Sequence, residues 1–255
     1  MKLRLLGDYV RAVMAFKNWP IILYSRFIAQ KGDPAIFKHR SGLALLCRAR
    51  TVDWCEIKDQ VMMPIYRRVF TEIIKLPVNS TVLDLGANVG GFSLRAAQAN
   101  ARCKVVAYEP DPSNQEVFRF NMWLNNHLRG RIELIPKAVA HYEGTAVFNC
   151  NAINPAGSSL VAYGPECTKT SVGVENLEAV LAACASTSIV VKMDIEGSEF
   201  EIVRTLPGNI WSHVRCLAME IHPSPGNMSD EIVRKLGSNG FVLVERCGAD
   251  FFFSR

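Results

Sequence analysis

The sequence predicts an α/β fold in which a mostly parallel sheet carries helices on both faces. From residue 78 onward, short runs suited to strands alternate with helical stretches, and this alternation is typical of such sheets. The expected strands are Thr81–Gly86, Lys104–Glu109, Ile132–Ala140, Ser188–Ile195 and Arg215–His222. The expected helices are Gly91–Asn100, Pro112–Asn126, Val174–Ala183, Ser198–Leu206 and Ser229–Asn239.

Two further strands are expected at the carboxyl end. Phe241–Arg246 and Asp250–Ser254 are strand-like runs separated by only Cys247-Gly248-Ala249. A parallel crossover needs a far longer connection, so the two runs must form an antiparallel hairpin. The hairpin brings the sheet to seven strands and distinguishes it from the ordinary dinucleotide-binding sheet, whose strands are all parallel. This arrangement resembles the Rossmann-like class I methyltransferase fold.

The first 75 residues are expected to form an N-terminal helical arm with a hairpin, followed by the main domain over residues 76–255. Apolar residues at helical spacing predict a helix over residues 1–31, interrupted near Pro20. The other expected elements of the arm are a hairpin over Ile36–Arg50 and a helix over Asp59–Lys75.

Positive charge is concentrated at the amino-terminal end. Residues 1–50 contain 10 Lys and Arg against 2 Asp and Glu, a balance of +8, and the remaining 19 basic and 22 acidic residues give −3, so that the sum is the net charge of +5. A basic arm can make peripheral contact with a membrane surface or bind a phosphorylated acceptor. The sequence contains no dense Lys/Arg run and no alternation of basic and aromatic residues, so nucleic-acid binding is not expected.

Cysteine usage and hydropathy predict a cytoplasmic protein without a transmembrane segment. The eight cysteines form no C-x-x-C pair, which argues against a zinc site, and several lie in apolar runs as reduced core thiols. No apolar run is long enough to cross a bilayer. Asp8, Arg11 and Lys17 interrupt the apolar core that a signal peptide would need.

The strongest motif is a glycine loop after the first strand of the main domain. Residues 82–90 read Val-Leu-Asp-Leu-Gly-Ala-Asn-Val-Gly. Asn88 stands where a dinucleotide-binding loop has the glycine that lets a pyrophosphate approach, and Asp84 would repel a pyrophosphate. S-Adenosylmethionine carries a sulfonium and an ammonium but no phosphate, and it suits this loop better than NAD. Its expected contacts are Asp84, Gly86, Ala87, Asn88 and Gly90.

An acidic residue ends the next expected strand. Glu109 lies 25 residues after Asp84 in the sequence. In nucleotide-binding sheets, an acidic residue at this place accepts hydrogen bonds from the ribose hydroxyls. Glu109 is therefore a further expected contact of S-adenosylmethionine, whose ribose carries the same hydroxyls.

Polar side chains also end the last two parallel strands. Residues 189–199 read Ile-Val-Val-Lys-Met-Asp-Ile-Glu-Gly-Ser-Glu, in which Asp194 and Glu196 share one strand face if the backbone is extended. Glu220 and His222 end the following strand. Because ligands of such sheets bind at the carboxyl ends of the strands, these side chains are expected beside the glycine loop.

Together these motifs resemble those of the FkbM family of methyltransferases. The resemblance covers about residues 80–225 and rests on the glycine loop, Glu109-Pro110, the run Lys192–Glu199 and Glu220-Ile221-His222. Met193 stands where isoleucine is expected. Membership would imply S-adenosylmethionine as the cofactor and O-methylation of a hydroxyl on a sugar, a polyketide or a related small molecule.

The expected catalytic residues are Asp194, Glu196 and His222. Methyl transfer from a sulfonium requires alignment of the acceptor oxygen, and a general base assists because an alkyl hydroxyl is weakly acidic. His222 is the expected proton acceptor, since the ordinary pKa of histidine is close to neutral pH. Asp194 could instead hold the cofactor or orient the hydroxyl. A divalent cation held by the same three residues is an alternative, although no metal is expected.

Two other functions stay open at this point. The basic arm could grip RNA or a protein, which would make the chain a macromolecular methyltransferase. The chain could also be a non-catalytic module that binds the cofactor, but the acidic residues at 194 and 196 speak against this function. The polar stretch Asn151–Glu166 predicts a loop that covers the acceptor.

Overall fold

The amino-terminal part of the chain consists of short helical segments, a hairpin and two longer helices. A computed structural model describes residues 10–151, 160, 167–184, 188–222 and 229–255, so most of the expected loop over Asn151–Glu166 lies outside the described residues. The elements are α1 (residues 10–15), α2 (Pro20–Leu23) with a π-helical turn (Tyr24–Ile28), β1 (Pro34–Lys38), β2 (Ala44–Arg48), α3 (Asp53–Met62) and α4 (Pro64–Lys75).

Proline shapes the arm at two places. The helical stretch is interrupted near Pro20 as expected, since α1 ends at residue 15, and Pro20 begins α2 because the first helical position needs no backbone N–H and suits the fixed φ of proline. The single helix expected over Asp59–Lys75 is two helices, since Pro64 cannot continue α3 and instead starts α4. The expected hairpin is present, with β1 and β2 antiparallel.

From residue 80, strands and helices alternate as expected, except over residues 132–176, where four strands follow one another. The elements are β3 (Ser80–Leu85), α5 (Gly91–Ala99), β4 (Cys103–Tyr108), α6 (Pro112–Leu124), α7 (Asn126–Arg129), β5 (Ile132–Ile135), β6 (Lys137–Ala140), β7 (Gly144–Asn151), β8 (Cys167–Asn176), α8 (Leu177–Ala183), β9 (Ile189–Met193), α9 (Glu199–Thr205), a 3₁₀ turn (Gly208–His213), β10 (Val214–Glu220), α10 (Ser229–Ser238), β11 (Val242–Cys247) and β12 (Asp250–Ser254).

The central sheet has the strand order β11-β12-β10-β9-β3-β4-β5. Strand β12 is antiparallel to both of its neighbours, and the pairs from β10 to β5 are parallel. The expectation of a mostly parallel, Rossmann-like sheet is confirmed. The order reverses between β3 and β9, and ligands of such sheets bind at the carboxyl ends of the strands beside this point.

A second, three-stranded sheet with the order β6-β8-β7 was not expected from the sequence. The single strand expected over Ile132–Ala140 is divided at Pro136, because proline cannot donate a ladder hydrogen bond. The helix expected from Val174 begins only at Leu177. Strand β8 extends to Asn176, whose side chain accepts a hydrogen bond from the backbone N–H of Glu178 at 2.8 Å and caps α8.

Two large hydrophobic clusters pack against the central sheet. Alternate residues of β3 enter different clusters, Val82 with Phe92 in one and Leu83 with Trp211 in the other. The first cluster also contains Phe37 of β1, so the hairpin packs into the same apolar interior. The boundary at residue 75 stays a prediction. Within the described ranges, no helix combines the length and apolarity that a bilayer crossing requires.

Candidate active site

The loop after β3 bends sharply because three of its residues have positive φ. Gly86 has a φ of +78°, Asn88 of +49° and Gly90 of +82°. A Cβ at Gly86 would lie 1.7 Å from the backbone oxygen of Asp194, and one at Gly90 would lie 2.1 Å from the ring of Phe118. Both glycines are therefore required by backbone conformation and by packing.

Glu109 fastens this loop to the next one. The backbone N–H of Asn88 donates to its Oε2 at 2.7 Å, and the backbone N–H of Asp111 donates to its Oε1 at 2.8 Å. The amide of Asn114 adds a longer hydrogen bond of 3.4 Å. Burial raises the pKa of Glu109 to about 7. The carboxylate is thus a buried acceptor at the carboxyl end of β4.

Asp84 lies behind the loop and is fully buried. Its Oδ2 accepts a hydrogen bond from the hydroxyl of Ser93 at 2.6 Å, and Nζ of Lys192 lies 3.7 Å from its Oδ1. Lys192 also donates to the backbone oxygen of Gly86 at 2.6 Å and lies 3.3 Å from Oδ2 of Asp194. Burial lowers the pKa of Lys192, but the charges of Asp194 and Asp84 outweigh it and hold this pKa well above its ordinary value. Lys192 is a buried cation that joins β3, β9 and the glycine loop.

A cavity opens at the carboxyl edge of the sheet. Its described lining contains four carboxylates and one lysine, with apolar side chains between them. The expected site residues that line it are Gly86, Asn88, Glu109, Asp194 and Glu196. Those that are not among its described lining residues are Asp84, Ala87, Gly90 and His222.

Beside this cavity, His222 lies among three carboxylates. Its Nδ1 is 3.2 Å from Oε1 of Glu199, and its Nε2 is 3.4 Å from Oε2 of Glu196 and 3.6 Å from Oε1 of Glu220. Burial lowers the pKa of His222, but the hydrogen bond and charge of Glu199 and the charge of Glu196 outweigh it and raise this pKa to about 10. The imidazole is therefore protonated at neutral pH, which opposes the proton-acceptor role expected for His222.

Glu196 lies on a loop and not on an extended strand. The shared strand face expected for Asp194 and Glu196 requires extended backbone, so this expectation is wrong. Strand β9 ends at Met193, and Glu196 has a φ of +54°. Left-handed backbone is unfavourable for a residue with a Cβ, and such outliers cluster at functional sites. Burial, opposed by the charge of His222, raises the pKa of Glu196 to about 7. Glu196 combines a place in the cavity wall with a carboxyl group that changes its charge near neutral pH.

The fully buried Glu199 holds this loop in shape. Its Oε1 accepts a hydrogen bond from the backbone N–H of Ile195 at 3.1 Å, and its Oε2 accepts one from that of Gly197 at 2.9 Å. Because Oε1 also contacts His222, one carboxylate positions both Glu196 and the imidazolium beside it.

A different set of residues has the spacing of a cation site. One ligand atom each of Asp194, Glu220 and His222 lies within 4.8 Å of the others. The sequence suggested Glu196 in place of Glu220 for this alternative. Burial and the charge of Asp194 raise the pKa of Glu220 to about 8. Proton uptake by Glu220 and the positive charge of the His222 imidazolium therefore both reduce the negative charge that a cation would meet here.

Sequence reasoning missed several residues of the cavity wall. Asn114 is on the first turns of α6, where its amide contacts Glu109. Lys137 and Phe148 come from the small sheet, and Lys137 forms an ion pair with Glu175. Of these residues, only Asn114 could have been found from the sequence. It lies in the first turn of a helix whose Asp-Pro start directly follows the acidic end of a strand.

Comparison with known proteins assigns this architecture to a family. Residues 84–243, more than half of the chain, match the family model described as the methyltransferase FkbM domain. The chain belongs to the FkbM methyltransferase family. The matched FkbM segment begins at Asp84 and includes each residue that sequence reasoning placed in the site.

Two curated methyltransferases are similar to this chain over most of their length. Methyltransferase sdnD of Sordaria araneosa is 26% identical over 71% of this chain and 82% of the relative. The 31-O-demethyl-FK506 methyltransferase FkbM of Streptomyces tacrolimicus is 24% identical over the same shares. A solved structure, the SAM-dependent methyltransferase from Agrobacterium tumefaciens, has a TM-score of 0.52 at 9% identity and covers 89% of this chain and 71% of that one, which supports the fold alone.

Proposed function

We propose that this FkbM-family chain is an O-methyltransferase that uses S-adenosylmethionine to methylate a hydroxyl of a small molecule, with Glu196 as the proton acceptor. The observation that carries the proposal is the acidic cavity in which Asn88 and Glu109 share a wall with Asp194 and Glu196. In this assignment the first pair holds the cofactor and the second pair faces the acceptor.

The cavity fits a cationic, phosphate-free cofactor. Its four carboxylates would repel a pyrophosphate and attract a sulfonium or an ammonium. Asn88 lines the cavity, and within the described part of the chain its buried Oδ1 has no hydrogen-bond partner, so it can accept from a donor on a ligand. When bound, S-adenosylmethionine supplies an electrophilic methyl group. Gly86, Asn88 and Glu109 would hold the cofactor. Asp84 would support them indirectly, because it lies beside Lys192, which donates to the backbone oxygen of Gly86.

Glu196 is suited to accept the proton of the acceptor hydroxyl. A general base works best with a pKa close to the working pH, and the pKa of Glu196 is about 7. His222 lies next to its carboxylate and stabilises the charged form that accepts a proton. In this assignment His222 is a positioning residue, and Asp194 orients the hydroxyl or the cofactor.

A small-molecule acceptor is supported by the relatives. One FkbM relative is named for 31-O-demethyl-FK506, which is a small molecule with an oxygen acceptor. The alternatives of an RNA or protein substrate and of a non-catalytic module have no such support. They predict, respectively, methylation of RNA or protein and cofactor binding without turnover.

The first test is cofactor binding by calorimetry. We expect S-adenosylmethionine and its demethylated product to bind, and NAD to give no heat, because a pyrophosphate would face the carboxylates of the cavity. NAD binding without a response to S-adenosylmethionine would contradict the cofactor assignment.

Addition of a chelator should leave activity unchanged, whereas a metal-dependent site would lose activity and recover it with a divalent cation.

Replacement of Glu109 tests the cofactor side of the cavity. Glu109→Gln should weaken the binding of S-adenosylmethionine by about 1–3 kcal/mol, the usual cost of losing a hydrogen bond to a charged group. The exposed Glu116→Gln on α6 is the matched control and should bind like the unchanged chain. Equal dissociation constants for the two variants, measured by calorimetry, would remove Glu109 from the cofactor site.

Replacement of His222 separates the two possible proton acceptors. The imidazolium lowers the pKa of Glu196, so His222→Asn should move the lower limb of the kcat profile to higher pH. The limb itself should remain, because Glu196 still titrates. If His222 were the base, the limb of the unchanged chain would lie near pH 10 and would vanish in the variant. The exposed His213→Asn is the control and should leave the profile unchanged.

A further inference from the structure

The helical segment over residues 20–28 presents large apolar side chains to solvent. Phe27 is 66% exposed and Ile28 is 72% exposed, and Leu23 and Tyr24 beside them are also exposed. The opposite side of the same segment, with the buried Ile22, packs into the core. The exposed side therefore contributes little to folding, and an apolar surface of this kind marks a contact site.

The same part of the chain is purely basic. Residues 10–32 contain Arg11, Lys17, Arg26 and Lys31, all exposed, and no Asp or Glu. Arg26 lies directly before the exposed pair Phe27 and Ile28. Apolar and aromatic side chains next to Lys and Arg are the composition of helices that lie in a membrane interface.

A second cavity lies beside this segment. Its lining includes Arg26, Arg48, Arg50 and Thr51. Arg48 is paired with Asp53 at 2.9 Å, whereas Arg50 donates to the backbone oxygen of Phe27 at 3.0 Å, which fixes it next to the apolar side chains. The cavity thus offers the positive charge of Arg26 and Arg50 at the edge of an apolar surface, as a lipid phosphate requires.

We propose that residues 20–28 dock on an anionic lipid surface. Leu23, Phe27 and Ile28 enter the headgroup region, while Arg26 and Arg50 bind lipid phosphate at the mouth of the cavity. This docking surface is independent of the proposed methyl transfer. It borders the candidate active site, because Arg48 also donates to Oδ1 of Asn114 at 2.6 Å and Asn114 lines the active-site cavity.

Other occupants fit the surface less well. A second copy in a two-fold dimer would place the same basic residues against each other. A nucleic acid would meet the positive charge but would leave Phe27 and Ile28 in water. An anionic bilayer meets both the charge and the apolar side chains.

Co-sedimentation of the full chain with lipid vesicles tests the proposal. We expect binding to vesicles of equal parts phosphatidylcholine and phosphatidylglycerol, and far weaker binding to phosphatidylcholine alone. Equal binding to both vesicles, or to neither, would overturn it. Inorganic phosphate should release the protein no better than sodium chloride at equal ionic strength. Release by phosphate alone would identify a site for free phosphate and would contradict lipid docking.

Variants locate the surface. Phe27→Ser with Ile28→Ser should weaken vesicle binding at least tenfold, and Arg26→Gln should weaken it about fivefold. The controls are Ile74→Ser and Arg129→Gln, which change an exposed apolar side chain and an exposed basic one elsewhere. Controls that lose as much binding as the test variants would contradict the location. If sedimentation shows a dimer that depends on Phe27 and Ile28, and the chain does not bind vesicles, the proposal is contradicted. The occupant of the surface is then a second copy of the chain and not a bilayer.

Discussion

Glu196→Gln should lower kcat by about 10²–10⁴-fold, the usual contribution of a general base. The amide keeps the size of the side chain and leaves the interactions of Glu199 with the loop in place, but it cannot accept the proton. In the unchanged chain, kcat at saturating cofactor should rise with pH and level off above about pH 7, where Glu196 is ionised. In the variant this limb should be absent.

The control for this experiment is Glu201→Gln, a half-buried carboxylate on α9 that pairs with Arg204 and lies outside the described cavity lining. It should retain the kcat and the pH profile of the unchanged chain. Saturating cofactor matters because the pKa of Glu109 is also about 7, and its titration would alter cofactor binding. A Glu196→Gln enzyme that keeps both its rate and its pH limb would contradict the proposed proton acceptor.

Gly86→Ala should destabilise the fold by about 2–5 kcal/mol, the combined cost of a left-handed backbone and of overpacking. The added Cβ would lie 1.7 Å from the backbone oxygen of Asp194, so β9 and the glycine loop must separate. Because both contribute to the cavity wall, binding of S-adenosylmethionine should be lost as well. Thermal unfolding and calorimetry measure the two effects.

Gly130→Ala is the matched control. Gly130 ends α7 with a φ of −67°, and nothing lies within 4 Å of an added Cβ. We expect a Tm close to that of the unchanged chain and full cofactor binding. A Gly86→Ala protein that melts and binds like this control would show that the close approach of the two loops is not needed.

The fold and the outline of the site could be predicted because they depend on local patterns. Short apolar runs followed by helical stretches define parallel strands, and the carboxyl ends of parallel strands meet at one edge. The meeting of Glu109 and Glu196 in one cavity follows from this rule alone. The C-terminal hairpin was equally local, because its connection is too short for any other pairing.

The properties that could not be predicted depend on tertiary packing. All six residues of β3 are buried, so alternation along the strand could not reveal that Asp84 lies behind the loop. The charge of His222 is set mainly by Glu199 and Glu196, which belong to a different segment of the sequence and reach the imidazole only through the fold. The small sheet was missed because β7 and β8 pair across a long stretch of chain and β6 follows β5 almost directly.

The small sheet contributes to the cavity wall independently of the sheet that carries the glycine loop. Its strands form their ladder hydrogen bonds among themselves, apart from the seven-stranded sheet that carries the glycine loop. Ala138 and Phe148 nevertheless contribute side chains to the cavity wall. Under the proposed assignment, substitutions at these two positions would alter which molecules the enzyme accepts while leaving the cofactor frame intact. A related enzyme could acquire a new acceptor through these two positions alone, and a designer could randomise them first.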